Sequence, residues 1–204
     1  MYTADSMQLV IATHNEGKAK ELKKFLQLFN IQGLSLSDLN ITDDVEENGK
    51  TFQENAVIKA NFFSDLTKLS CIADDGGIEI DALNGEPGVK SRRWKGYRMT
   101  DQELVDYTLE RMHNIPAEQR TCRLVSVLAL CQPRQKPILG RGTIEGSITE
   151  KQRIPIEEGY PFRAIFYLPQ YNKMLGELTP AEHETLNHRL IALKEVLQKI
   201  DAII

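Results

Sequence analysis

Between Leu9 and Ala12 the chain runs LVIA without a polar break, and the six residues THNEGK separate this run from a helix-period stretch. A strand with one wet face alternates apolar and polar residues. An unbroken apolar run instead suits a strand covered on both faces, the usual setting of a parallel sheet with helices packed on it. We therefore expect a first strand at about residues 8–12. The helix after it carries Ala19, Leu22, Phe25, Leu26 and Phe29 at spacings of three and four, a single buried face. Strand, loop and helix in this order commit the chain to an α/β architecture.

The remainder extends the pattern. A short strand is expected at 33–36, then an exposed acidic loop with Asp43, Asp44, Glu46 and Glu47. Thr51 and Glu54 have the spacing of a capping box, which predicts a helix from there to about Leu66. The segment SCIADDGGIEIDAL reads as strand, acidic turn, strand. Thr100 and Glu103 form a second capping box, for a helix to about Met112. Strands follow at 121–131, 138–149 and 164–168. TPAE, from Thr179, starts the last helix, with Leu186, Leu190, Leu193, Leu197 and Ile200 as its core-facing stripe. The expected fold is α/β around a mixed central sheet, built as one domain over residues 1–204 or as two closely packed lobes. Residues 1–6 read as a dispensable extension ahead of Met7.

Composition narrows the function. With 41% hydrophobic and 26% charged residues the chain suits a soluble globular protein. No apolar run approaches the roughly 20 residues of a membrane span, and no secretory leader is evident, so a cytoplasmic protein is expected. A net charge of −4 argues against nucleic acid as partner and for a small molecule. Cys71, Cys122 and Cys131 are odd in number and have no metal-ligand spacing. They are read as buried thiols in a reducing compartment.

Two stretches carry chemistry. The loop THNEGK, with Thr13, Asn15, Gly17 and Lys18, joins a strand to a helix N-terminus, where unpaired N–H groups favour an anion. A lysine there opposes the helix dipole unless the site holds several negative charges. The P-loop pattern fails, because Ala12 stands for its first glycine and Ala19 for its hydroxyl residue. A plain turn with a surface lysine is the other reading. The second stretch is ADDGG, residues 73–77. Adjacent carboxylates at Asp74 and Asp75 repel each other unless a divalent cation relieves them, and a hard, oxygen-rich site suits Mg²⁺. The glycines behind them permit close backbone approach, although a simple Asp-Gly turn fits the same letters. A phosphate cradle beside carboxylate-bound Mg²⁺ is phosphoryl or nucleotidyl chemistry.

Four blocks together are more specific. ATHNEGKAKEL, TFQENAVIKA, ADDGGIEIDALNGEPGVKSRRW and ELTPAEHETLNHRLIAL resemble, in order and spacing, successive blocks of the inosine triphosphate pyrophosphatase family. The resemblance runs from about residue 8 to residue 197. It implies hydrolysis of non-standard purine triphosphates such as ITP, dITP and XTP to the monophosphate and pyrophosphate. It also implies Mg²⁺, a homodimer, and an elongated sheet whose two lobes flank a nucleotide cleft. Thr13, Asn15, Gly17 and Lys18 match the triphosphate loop, and Gly76 a substrate-binding position. Asp75 matches the general base, while Asp74 and Glu47 (or Glu46) match acidic positions associated with the metal. His188 and Arg189 match the pair lying against the nucleobase.

Departures cluster at the base-reading residues. Where the family carries G-[FY]-G-Y-D-P-I-F, this chain reads EEGYPFRAIFYLP, with Arg163 at the aspartate position. His183 stands where a purine-reading lysine is common, Gly76 replaces a serine, and His14 replaces the glycine of T-G-N. These changes imply an altered base preference, or else a pocket read mainly by backbone amides. Arg163 either enters the pocket as a donor or points elsewhere. The alternative to an enzyme is a regulatory nucleotide-binding protein that kept the fold and lost turnover.

Overall fold

A computed structural model describes residues 7–201, so the extension expected over residues 1–6 lies outside the described residues. Seven strands form one sheet: β1 (Gln8–Ile11), β2 (Gln32–Ser35), β3 (Cys71–Ile80), β4 (Thr121–Cys131), β5 (Ile138–Ile148), β6 (Phe166–Leu168) and β7 (Lys173–Met174). Their order is β2-β1-β3-β4-β5-β6-β7. β1 lies parallel to both β2 and β3, while β6 is antiparallel to β5 and β7, so the sheet is mixed as expected. Leu9, Val10 and Ile11 are all buried, which accounts for the unbroken apolar run.

The chain divides into two compact units. The first holds the described residues up to Asp75, Ser126–Gly142, and those from Arg189 onward. Its core joins β1 and β3 to α1 (Glu16–Gln27), through Ala19, Leu22, Phe25 and Leu26, and to α5 (His188–Asp201), through Leu190, Leu193 and Val196. Each large side chain so buried contributes about 1.5–3 kcal/mol. β5 passes so near α5 that a Cβ at Gly140 would lie 2.1 Å from the Ala192 carbonyl oxygen, and only glycine fits. α2 (Phe52–Thr67) also belongs here.

The second unit holds Gly76–Val125 and Thr143–His188. Ile78 and Ile80 of β3, Ile144 and Ile148 of β5, and Phe166 of β6 pack with Leu104 and Val105 of α3 (Asp101–Arg111). The capping box at Thr100 and Glu103 is present in both directions.

Four expectations change. ADDGG is not a turn between two strands: β3 runs unbroken through it, because Ile72 and Ala73 before it and Ile78 and Ile80 after it are buried in the same sheet. Thr51 caps α2 by accepting from the Glu54 N–H, but the Glu54 carboxylate turns to the Lys50 N–H at 2.6 Å, so only half the box forms as expected. Phe29 lies beyond the end of α1 and is 37% exposed. The last helix is two, α4 (Pro180–Leu186) and α5, separated by extended backbone at Asn187. Leu186 accordingly packs on the second unit's core, and Leu190, Leu193, Leu197 and Ile200 on the first. The two-residue strand β7 carried no recognisable pattern. The three cysteines are buried free thiols, as expected.

Candidate active site

Parallel pairing of β1 with β3 sets Ile11 beside Ile72, and the Ala12 N–H donates to the Ile72 carbonyl at 2.8 Å. The loop leaving β1 is thereby delivered to the aspartates of β3. Within that loop Thr13 Oγ1 accepts from the Asn15 N–H at 3.2 Å. Asn15 caps α1, its Oδ1 accepting from the Lys18 N–H at 3.0 Å. Gly17 occupies the first helical turn, so the amides there face the loop side of the sheet. Lys18 reaches back to Asp74, Nζ to Oδ2 2.8 Å.

Asp74 is wholly buried and has three partners. Besides Lys18, Arg189 Nε donates to Oδ2 at 2.9 Å and Ser126 Oγ to Oδ1 at 2.5 Å. Burial alone would raise its pKa, but Arg189 and Lys18 hold the carboxyl well below the usual carboxylate range. Arg189 also pairs with Glu21 of α1. The pair named for the nucleobase thus divides: Arg189 is bound to two carboxylates, and His188 opens α5 as a buried residue.

Asp75 differs from its neighbour in every respect. It is half-buried, and its Oδ2 atom is covered yet has no hydrogen-bond partner among the described residues. Burial, only partly offset by Lys59 and Lys18 and reinforced by Glu47 and Asp74, pushes its pKa up to about 6. Alternation along a strand puts consecutive side chains on opposite faces, which is why two adjacent aspartates live so differently. Gly76 follows directly on the same strand.

Lys59 completes the group, and sequence reasoning overlooked it. Its Nζ lies 3.0 Å from Glu47 Oε2 and donates to the Asp74 carbonyl at 3.2 Å. Only 9% of the residue is exposed, and a lysine that well covered is held by its partners. The signal was available: Lys59 falls among Ala56, Ala60 and Phe63 on the buried face of α2, where an unpaired charge would be costly. Glu47, rather than Glu46, is the glutamate paired with Lys59 in this group. Its segment is drawn in by Asn55, whose Oδ1 accepts from the Gly49 N–H at 2.8 Å. A Cβ at Gly49 would meet that oxygen at 2.6 Å, so the approach requires glycine.

The acidic groups fit a divalent cation only in part. Among the described residues no three His, Cys, Asp or Glu side chains are gathered closely enough to hold an ion. Both Asp74 oxygens are taken by cations and a hydroxyl. The open, buried Oδ2 of Asp75 and the exposed Glu47 are what hard-cation chemistry would use, and two carboxylates with waters and phosphates are enough for Mg²⁺.

Two departures noted in the sequence also have definite settings. Arg163 Nη1 pairs with Glu157 Oε2 at 2.7 Å, and its guanidinium lies 3.9 Å over the Tyr160 ring. His14 Nε2 is 2.7 Å from the Asp43 carbonyl oxygen, and its ring meets Phe63 edge-on.

Comparison with known proteins agrees over nearly all of the chain. Residues 9–199 match the sequence profile of the Ham1 family. The chain is 39% identical over 195 residues to a dITP/XTP pyrophosphatase of Bacillus cereus, covering 95% of this chain and 94% of that protein. It is 37% identical to the dITP/XTP pyrophosphatase of Bacillus subtilis, with 96% and 98% covered. Among solved structures, the Ham1 protein of Staphylococcus aureus superposes with a TM-score of 0.82 at 29% identity, over 97% of this chain and all of that one. A HAM1 protein from Coxiella burnetii gives 0.80 at 32% identity, covering 97% and 98%.

Proposed function

This chain belongs to the Ham1 family, and on that premise we propose how it acts: it is a hydrolase that cleaves non-standard purine nucleoside triphosphates to monophosphate and pyrophosphate, with Asp75 as its base. The observation that carries the reading is the covered, unpartnered Asp75 oxygen flanked by Lys18, Lys59 and Glu47.

The chemistry follows from those groups. Thr13, Asn15, the first-turn amides at Gly17 and the Lys18 ammonium seat the polyphosphate at the mouth of α1. Asp74 keeps Lys18 in reach before substrate arrives. With a pKa of about 6, Asp75 is mainly ionised at neutral pH and still basic enough to take a proton from water. That water forms a bond to the α-phosphorus as the bond to the bridging oxygen breaks, and pyrophosphate leaves with its charge opposite Lys18. Asp75 and Glu47 would hold Mg²⁺, which would supply charge neutralisation for the phosphoryl oxygens. Gly76, without a side chain, leaves room beside the reacting phosphate, His188 supports the nucleobase end, and Arg189 holds the Asp74 carboxylate in place.

Preference for an oxo-purine is supported by the relatives' own activity toward dITP and XTP. The same reading has the enzyme working in the cytoplasm, with three free thiols consistent with a reducing compartment. It has the enzyme as a homodimer, which the resemblance alone implies. No described helix is long and apolar enough to cross a membrane. Nothing in the site favours a binding protein without turnover, because Asp75, Lys18 and Glu47 are all in place.

Pyrophosphate release from ITP, XTP, dITP, GTP and ATP, with Mg²⁺ and with chelator, tests the proposal. The expected result is metal-dependent release that is fastest for ITP, dITP and XTP and falls about 10²-fold or more in Asp75→Asn. Release of orthophosphate only, or no turnover of any triphosphate, would reject it.

A further inference from the structure

The segment at residues 42–49 has no regular secondary structure, yet it carries Glu47. A loop without ladder bonds is mobile unless side-chain contacts pin it, and Glu47 gains from pins on both sides. After Glu47 the pin is Asn55 with Gly49, followed by the Lys50–Glu54 contact. Before Glu47 the described contact that ties the segment to another element is His14, through the Asp43 carbonyl. His14 is held in turn by Phe63 of α2, ring centroids 6.0 Å apart, and by its place between Thr13 and Asn15.

We propose that His14 is a positioning residue: it ties the acidic segment to the phosphate loop, so that Glu47 is presented to Lys59 and Asp75 before metal or nucleotide binds. The inference rests on the function proposed above and adds a residue to it. The tether needs a donor, since its acceptor is a carbonyl. The imidazole tautomer with its hydrogen on Nε2 provides one. A glycine at this position would give the loop no such reach. Phosphate loop and metal carboxylate would then order independently, and ordering would oppose metal binding.

The test uses His14→Ala and His14→Gln; the glutamine amide restores a donor at comparable reach. Mn²⁺ binding to the nucleotide-free protein is followed by loss of the free-ion EPR signal, alongside the metal concentration for half-maximal ITP turnover. His14→Ala should weaken both by about five- to tenfold, as for loss of one net hydrogen bond and its ordering. His14→Gln should recover most of that, and the Tm should stay within about two degrees. In a Glu47→Gln background His14→Ala should add nothing, because the histidine acts through Glu47. Unchanged Mn²⁺ affinity in His14→Ala, or a loss that adds fully to that of Glu47→Gln, would overturn the tether. Wild-type protein that turns over no triphosphate would instead reject the proposed function, and this inference with it.

Discussion

Replacing Asp75 with asparagine should stabilise the metal-free protein at neutral pH, even though it removes the residue on which turnover depends. The carboxyl's pKa is raised from its ordinary 3.8 to about 6, chiefly by burial. A carboxylate whose folded pKa lies above its unfolded value opposes folding once ionised. The opposition is small below pH 4, grows as pH rises through the window from about 4 to 6, and is complete above about 7. Two units at 1.36 kcal/mol each set a ceiling of about 3 kcal/mol. Asp75 is only half-buried, so solvent screening reduces that to about 1–2 kcal/mol. Asparagine keeps the shape and carries no charge. Urea unfolding of wild type and Asp75→Asn, both with chelator, should show the variant's advantage growing by about 1 kcal/mol between pH 5 and pH 8. Comparison with the wild type cancels every other titrating group. A divalent cation should reverse the order by stabilising only the wild type. An advantage that is independent of pH, or that shrinks as pH rises, would mean that the open oxygen does not carry the strain ascribed to it.

Three further substitutions probe the remaining groups. Arg189→Ala leaves Asp74 and Glu21 without their shared cation and should cost about 3–5 kcal/mol in urea unfolding, against near-neutral effects for an exposed pair. Lys18→Ala should weaken binding of a non-hydrolysed triphosphate analogue by about 10- to 100-fold and leave monophosphate affinity within about threefold, measured by calorimetry. Equal losses would move Lys18 away from the β- and γ-phosphates. Arg163→Ala should leave the ratio of ITP to ATP turnover within about threefold, because the guanidinium is occupied by Glu157 and Tyr160. A tenfold change in that ratio would make Arg163 a reader of the base.

How far the chain could be read in advance differs from element to element, for physical reasons. β1, α1 and α3 were legible because apolar periodicity and caps are local properties. The continuity of β3 through ADDGG was not: the letters suit a turn, and what keeps them extended is burial of Ile72, Ala73, Ile78 and Ile80 against neighbours distant in sequence. The break at Asn187 divided one leucine stripe between two cores, and spacing alone cannot show that a helix changes partners. At the site, Thr13, Asn15, Lys18, Asp74 and Asp75 were singled out from motif and resemblance, and the fold brings them together. The contrast between the two aspartates was not legible, because adjacent carboxylates are equivalent in a sequence and take opposite faces on a strand. Lys59 and Ser126 went unnoticed for the same reason: each matters through a contact with Asp74, 15 and 52 residues away.

The most direct measurement is the position of the label when ITP is hydrolysed in ¹⁸O-water with Mg²⁺. Attack at the α-phosphorus by a water that Asp75 deprotonates puts one ¹⁸O into inosine monophosphate and none into pyrophosphate, as read by mass spectrometry. Label in the pyrophosphate would place the attack on the β-phosphorus and contradict the seating of the polyphosphate against Lys18 and the mouth of α1.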